Sequence, residues 1–233
     1  MDKQNLLLLP GLLDDAALWE HQCKYLAELA EITVADLTPY DSMAKMAQSV
    51  LENAPACFAL AGLSMGGYVA HEIMRRALDR VTKLALIDTS AQPENEEQTQ
   101  HRKELIQLTL IGKFKEVTPR LLSLLVHPNR VQDQKLTNTI IAMAERVGQD
   151  AFLRHNKAIM ARRDSREDLR RIKCPTLILV GRQDTLTPIK VHEEMAAGIA
   201  HARLIIIEDC GHLSCLEQPQ AVTALLRDWL LYR

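Results

Sequence analysis

Three side chains of the types that acyl transfer needs stand far apart in this chain, each just after an apolar run. Ser64 lies in Gly62-Leu63-Ser64-Met65-Gly66-Gly67, Asp184 in Gly181-Arg182-Gln183-Asp184, and His212 in Asp209-Cys210-Gly211-His212. A serine hydroxyl is a weak nucleophile at its own pKa and needs a base beside it. Histidine titrates near neutrality, so it can take that proton and later return it to a leaving group. A carboxylate on the far ring nitrogen fixes the tautomer and stabilises the imidazolium. The chemistry suggested is nucleophilic attack by Ser64, with His212 as base and Asp184 as its orienting acid.

The elements around these residues have to bring them to one edge. Cys57–Ala61 is a short apolar run, and a helical pattern (Tyr68, Val69, Ala70, Ile73, Met74, Ala77) starts directly after the serine. That is strand, sharp turn, helix. Gly62 and Gly66 leave room for the backbone to fold tightly, and the helix start offers N–H groups to developing negative charge. Leu6–Leu9, closed by Pro10-Gly11, reads as a strand buried on both faces. Asp14 and Asp15 are N-cap candidates for a helix carrying Leu18, Trp19, Leu26 and Leu29. Strands follow at 31–36, 82–88, 175–181 and 203–208, and Ser42 opens an amphipathic helix with Met43, Met46, Ala47, Val50 and Leu51 on one face. Alternation of strand and helix with short connections predicts a parallel sheet of about six mainly parallel strands, flanked by helices, with right-handed crossovers. In such sheets ligands sit outside the carboxyl ends of the strands, where Ser64, Gly11-Leu12 and Asp88 all fall.

The rhythm breaks for some eighty residues. Helices are expected at 99–110, 114–125, 133–145 and 150–161, with no strand among them. We read 93–171 as a helical insertion, a cap over the active edge, dividing a core made of 1–92 and 172–233. Arg162, Arg163, Arg166, Arg170 and Arg171 alternate with Asp164, Glu167 and Asp168 and read as a solvated helix face.

Composition sets the outer limits. At 233 residues, 47% hydrophobic and 25% charged, the chain has ordinary globular composition and length for one α/β domain. A net charge of −2 and only 4% aromatic residues give neither a basic footprint nor a stacking platform, so nucleic acid is not an expected partner. Leu6–Leu9 is too short for a membrane span or a signal-peptide core, and no membrane association is expected. Five cysteines in no repeating framework suit reduced thiols and a cytoplasmic location. Cys210-x-His212-x-x-Cys215 has metal-like residue types, but no second pair follows at structural-zinc spacing, so no metal is assigned.

With these motifs in place, the chain resembles the α/β-hydrolase superfamily over nearly its whole length. Gly62–Gly67 matches that family's nucleophile elbow, Gly181–Pro188 resembles its acid loop, and Gly211-His212 with Glu217-Gln218-Pro219 resembles its histidine loop. The order Ser, Asp, His is the family's order. Leu6–Leu12, with Trp19 beyond, matches its oxyanion strand, which implies backbone N–H groups of Leu12 and Met65 as the oxyanion donors. Pro10-Gly11 stands where many relatives have His-Gly, and Leu37–Ser42 replaces a common Gly-x-Gly-x-Ser loop. The family's initial antiparallel strands are expected to be missing. The resemblance implies a cofactor-free serine hydrolase for a small or medium carboxylic ester or lactone, acting as monomer or homodimer. Similar small capped members include pimeloyl-acyl-carrier-protein methyl ester esterases and enol-lactone hydrolases. Carbon–carbon bond cleavage with the same three residues, and a non-catalytic receptor on the same fold, are the alternatives.

Other residues compete for these roles. Asp88 also ends a strand and is an alternative acid. Asp36 is expected to cap a turn, and Asp209 lies too close to His212 to orient it. His71, His101, His127, His155, His192 and His201 fall in or beside helical stretches and are expected to be solvated. Ser90 and Ser214 are expected to be caps.

Overall fold

A computed structural model describes residues 3–232. Six strands form one sheet in the order β2-β1-β3-β4-β5-β6. They are β1 (Gln4–Leu9), β2 (Ala30–Val34), β3 (Phe58–Leu63), β4 (Val81–Ile87), β5 (Thr176–Gly181) and β6 (Arg203–Ile207). Every pairing is parallel. The expected parallel sheet is therefore present, and no antiparallel strand precedes β1 among the described residues.

Side-chain alternation explains why the leucine run tolerates burial on both sides. Leu6 and Leu8 pack with Trp19, Leu26 and Trp229 on one face of the sheet. Leu7 and Leu9 pack with Met46, Val69 and Ile73 on the other. The first face is covered by α1 (Glu20–Leu26) and α8 (Pro219–Tyr232), the second by α2 (Met43–Asn53), α3 (Met65–Ala77) and α7 (Ile189–Gly198). Asp15 accepts from Ala17 N–H and caps the first turn, and Ser42 accepts from Lys45 N–H to cap α2. No helix among the described residues is long and apolar enough to cross a membrane.

Strand order places the chemistry. The chain runs from β1 outward to β2, then returns to the other side of β1 and continues through β3 to β6. The reversal lies between β1 and β3, whose carboxyl ends are joined in register at Leu9 and Gly62. A crevice opens at such a point in parallel sheets. Gly11-Leu12 follows one of these strands and Ser64 the other.

Between β4 and β5 lie α4 (Glu96–Leu110), α5 (Val117–Leu125) and α6 (Gln134–Met160), with short 3-10 turns and no strand. A helix break occurs where two separate helices were expected, at Gly148, whose φ of 80° lies in the left-handed region. These helices make a cluster of their own from Leu105, Val117, Leu121, Ala144 and Phe152, which also takes in Leu13. Arg166–Arg171 is a 3-10 stretch instead of a regular helix, and the arginines from 162 onward do not form one solvated face. The Arg162 side chain is nearly buried against Glu94. Asp168 pairs with Arg75 of α3 at 3.0 Å.

Candidate active site

Ser64 sits at the apex between β3 and α3 with φ 52° and ψ −114°, a conformation that L residues rarely hold. Two close approaches impose it. A Cβ on Gly62 would run into the backbone of Gly66, and one on Gly66 would run into the carbonyl of Leu9. Glycine at both positions lets α3 start hard against the end of β1. Thr89, just after β4, braces the turn: its hydroxyl donates to the Ser64 carbonyl at 2.8 Å. Thr89 N–H in turn donates to His192 Nε2 at 3.0 Å.

Ser64, His212 and Asp184 are brought together. His212 Nε2 lies 2.9 Å from Ser64 Oγ, and its Nδ1 lies 2.8 Å from Asp184 Oδ2. Asp184 Oδ1 accepts from the N–H groups of Leu186 and Thr187, and Oδ2 also accepts from the Thr187 hydroxyl at 2.6 Å. Although burial would raise the Asp184 carboxyl, the His212 charge and these donors hold it below its ordinary value. An ionised carboxylate only accepts, so Nδ1–H of His212 must be the donor. In neutral imidazole Nε2 is then the acceptor for the serine hydroxyl. Burial by itself would push His212 down, but the charge and hydrogen bond of Asp184 outweigh it and raise the imidazole to about 9.

The histidine loop is held from two sides. His212 and Leu213 N–H groups both donate to Leu125 O, at the end of α5. Glu217 is buried and accepts from Gly211 N–H at 2.9 Å and from His127 N–H at 2.7 Å. The end of α5 and the residues after it thus help to fix the base. In the sequence Glu217 stands out only as part of a motif, because its role depends on a contact 90 positions away.

Asp88 does not touch His212. Its Oδ1 accepts from Gly181 N–H and its Oδ2 from Ser214 N–H, tying the acid loop to the histidine loop. Burial first, and then the nearby Asp184 charge, raise Asp88 to about 8, so it is largely protonated at neutral pH. Asp36 caps its turn as expected, accepting from Thr38. Ser90 does so too, through Gln92 N–H. Ser214 does not: its hydroxyl is buried and has no partner among the described residues.

Leu12 and Met65 flank the nucleophile. Met65 is the first residue of α3, so its N–H has no acceptor within the helix. Leu12 N–H has no backbone acceptor among the described residues. The Gly11 backbone runs past Ser64, since a Cβ there would come within 3.4 Å of Ser64 Cβ.

Solvation of the remaining histidines is corrected by the structure. His71, His127, His155 and His192 are buried, while His101 and His201 are exposed. Helical spacing alone does not distinguish a histidine on the sheet side of a helix from one facing water. Burial pushes His71 and His192 down to about 4, so both are neutral at pH 7.

Asp14 is not a cap either. Asp15 does the capping, whereas Asp14 is buried, lines the same cavity as Ser64, and places Oδ2 within 2.5 Å of where a Gly11 Cβ would stand. Burial raises its carboxyl from 3.8 to about 7. A carboxyl raised on folding keeps its proton longer in the native state, so stability is lost as pH rises from about 4 through 7. Asp14→Asn is therefore expected to raise stability at pH 8, by up to about 4 kcal/mol, and much less at pH 5. Thermal melts of both proteins at the two pH values check this, and an equal shift in Tm at both would refute it.

Beside Ser64 and His212 opens a cavity of about 140 Å³. One wall is apolar, from Leu105, Leu121, Leu125, Ile140 and Ile159, and another is polar, from Gln98, His101, Arg102 and Arg162. An apolar cavity of about 150 Å³ holds benzene, so the enclosed part of a ligand here is roughly six heavy atoms. Among the described residues no cluster of three or more His, Cys, Asp or Glu could hold a metal ion. Both nitrogens of His212 are engaged by Ser64 and Asp184.

Comparison with known proteins agrees with this architecture. A sequence profile of the alpha/beta hydrolase family matches residues 6–225. The pimeloyl-[acyl-carrier protein] methyl ester esterase of Aliivibrio salmonicida is 27% identical over 222 residues, covering 89% of this chain and 85% of that protein. Its counterpart from Vibrio cholerae is 26% identical over 234 residues, covering 94% and 91%. Among solved structures, a thermophilic esterase from Thermogutta terrifontis, with malate bound, superposes with a TM-score of 0.87 at 26% identity, over 99% of this chain and 91% of that one. The enol-lactonase of Burkholderia xenovorans has the same fold, with a TM-score of 0.88 at 22% identity over 99% and 92%.

Proposed function

Since the chain belongs to the alpha/beta hydrolase family, we propose that it is a carboxylic ester hydrolase working through Ser64, His212 and Asp184. The observation that carries this is the relay itself: Ser64 Oγ at 2.9 Å from His212 Nε2, and His212 Nδ1 at 2.8 Å from Asp184. His212 takes the hydroxyl proton as Ser64 attacks the ester carbonyl. Leu12 and Met65 N–H groups receive the oxyanion, where each such donor is worth on the order of 3–4 kcal/mol. His212 then protonates the leaving alcohol, and the acyl-enzyme remains. Water, deprotonated by the same imidazole, attacks the acyl carbon and releases the acid. Asp184 stays ionised throughout and stabilises the imidazolium. Side chains, backbone and water handle every proton and electron pair in this cycle, so it calls on no cofactor.

Segment 93–171 serves as the cap: it supplies much of the cavity wall and anchors the histidine loop. A cavity of this size suits a small or medium acyl ester or a lactone, in keeping with the esterases and enol-lactonase that the chain resembles.

Hydrolysis of p-nitrophenyl esters from acetate to laurate tests the reading. Turnover with an optimum at short to medium chains is expected, and it disappears in Ser64→Ala. Absence of turnover across the series would sink the esterase reading and favour carbon–carbon cleavage or ligand binding without turnover.

A pH dependence follows from the raised imidazole. A base held at about 9 is protonated and idle at neutrality. kcat/KM, which reports the free enzyme, should climb from pH 6 and level off only above about 9. Removing the Asp184 charge moves the limb toward lower pH. A plateau already reached at pH 7 would contradict the assignment.

A further inference from the structure

The cavity contains more charge than ester hydrolysis requires. Glu94, whose side chain is 2% exposed, is clasped by two guanidinium groups, those of Arg102 and Arg162. Arg102 reaches it with Nε and Nη2 at 2.9–3.0 Å, and Arg162 with Nη1 at 3.1 Å. Two cations on one carboxylate leave one positive charge uncompensated. Arg162 is itself only 6% exposed, and its guanidinium lies 4.4 Å over the ring of Tyr68, one helical turn after Ser64. The other titratable groups on the cavity wall are Asp14, at the Ser64 end, with His101 and His212.

The arginines also keep donors in reserve. Arg162 uses Nε on Gln92 O and Nη1 on Glu94 and Ile159 O, so neither hydrogen of Nη2 has an acceptor among the described residues. Arg102 gives one hydrogen of Nη1 to Asn156 and one of Nη2 to Glu94, leaving one of each unused. Arg162 borders this cavity and a neighbouring one of about 170 Å³ across Tyr68, while Arg102 lines the catalytic cavity. These free donors are not among the buried polar atoms without a partner, so they reach solvent and are open to an anionic group entering the cavity. The planar fork of arginine fits a carboxylate in particular.

We infer that Arg102 and Arg162 form a subsite for a carboxylate belonging to the substrate, so that the preferred ester carries a second, ionised carboxyl group a short chain away from the scissile bond. This rests on the esterase reading. Tyr68 sits four residues after Ser64, about 6 Å along the helix axis, which calls for a spacer of a few carbons. The apolar wall of leucines and isoleucines takes the other arm of the ester.

Hydrolysis followed by acid release in a pH-stat tests this with matched pairs. Methyl hydrogen glutarate and methyl hydrogen adipate are compared with methyl pentanoate and methyl hexanoate, and 4-butyryloxybutanoate with butyl butyrate. In one arm the carboxylate is on the acyl side, in the other on the alcohol side. Wild type should favour the charged member of one arm by about 10- to 100-fold in kcat/KM. Arg102→Gln and Arg162→Gln should reduce that preference toward unity, chiefly through KM for the charged esters. If both substrate types fall together, the cluster only fastens the cap helices and the inference is wrong. A measurement on unaltered protein removes dependence on the variants folding: free glutarate should inhibit neutral-ester hydrolysis at least tenfold more tightly than pentanoate. Turnover of neutral esters with no preference for charge and equal inhibition by the two acids overturns the subsite but leaves the esterase reading intact. No turnover of any ester overturns both.

Discussion

Ser64→Ala lowers kcat on any accepted ester by about 10⁴- to 10⁶-fold and leaves Tm close to that of the wild type. The two halves of this result have separate origins. Ser64 Oγ has one hydrogen-bond partner among the described residues, His212 Nε2, and both line the cavity, so a water can take the place of the hydroxyl beside the ring. Alanine at φ 52° is no more strained than serine there, because the strain is set by the close approach of Gly62 and Gly66. The Thr89 bond goes to the Ser64 carbonyl, which any residue provides. Without the hydroxyl no acyl-enzyme forms, whereas the Leu12 and Met65 N–H groups and the cavity wall remain. KM therefore changes little. Circular dichroism, a thermal melt and a burst assay on the same preparation separate the two effects. A variant that keeps its burst of p-nitrophenol would show that the nucleophile is elsewhere.

What was legible in the sequence was what contiguous residues enforce. Strand, turn and helix around Ser64 follow from an apolar run, two glycines and a 3.6-residue period, all inside about twenty positions. The parallel sheet follows in the same way from leucine- and isoleucine-rich runs separated by short amphipathic helices. The helices expected at 133–145 and 150–161 left a gap between them, and the break falls in it, at Gly148. Contacts between segments distant in sequence were hidden. Arg162 sits in a run of alternating charges that looks solvated, and only folding brings it onto Glu94, 68 positions away. His192 and His155 read as surface residues on amphipathic helices. They are buried because the loops after β4 and β2 offer them Thr89 N–H and Leu37 O. Asp14 and Asp15 are equivalent candidates by type, and one turn of backbone decides that Asp15 caps while Asp14 faces Ser64.

The second large effect separates two carboxylates that the sequence left in competition. Asp184→Asn should lower kcat/KM by about 10⁴-fold, and Asp88→Asn by about tenfold or less. In Asp184→Asn the amide oxygen can still accept from Leu186 and Thr187 N–H. Its NH₂ then faces His212 Nδ1 as a donor, which forces the proton onto Nε2, and a protonated Nε2 cannot accept from Ser64. Geometry survives and the tautomer is wrong. Asp88 is different because burial and the Asp184 charge have already raised it to about 8, so a neutral amide resembles its state at pH 7. The amide in Asp88→Asn would lose one of two bonds, to Gly181 N–H or to Ser214 N–H, and loosen the loops bearing Asp184 and His212. That costs on the order of 1 kcal/mol of stability and a modest loss of rate. The pH profile distinguishes the two independently of rate. Asp184→Asn should move the ascending limb down from about 9, because the main charge holding the imidazole up is gone. Asp88→Asn should move that limb down less, because the Asp88 charge contributes less than Asp184 to holding the imidazole up. If instead Asp88→Asn proved the more damaging and shifted the limb further, the orienting acid would be Asp88, and the 2.8 Å contact between Asp184 and His212 would be structural.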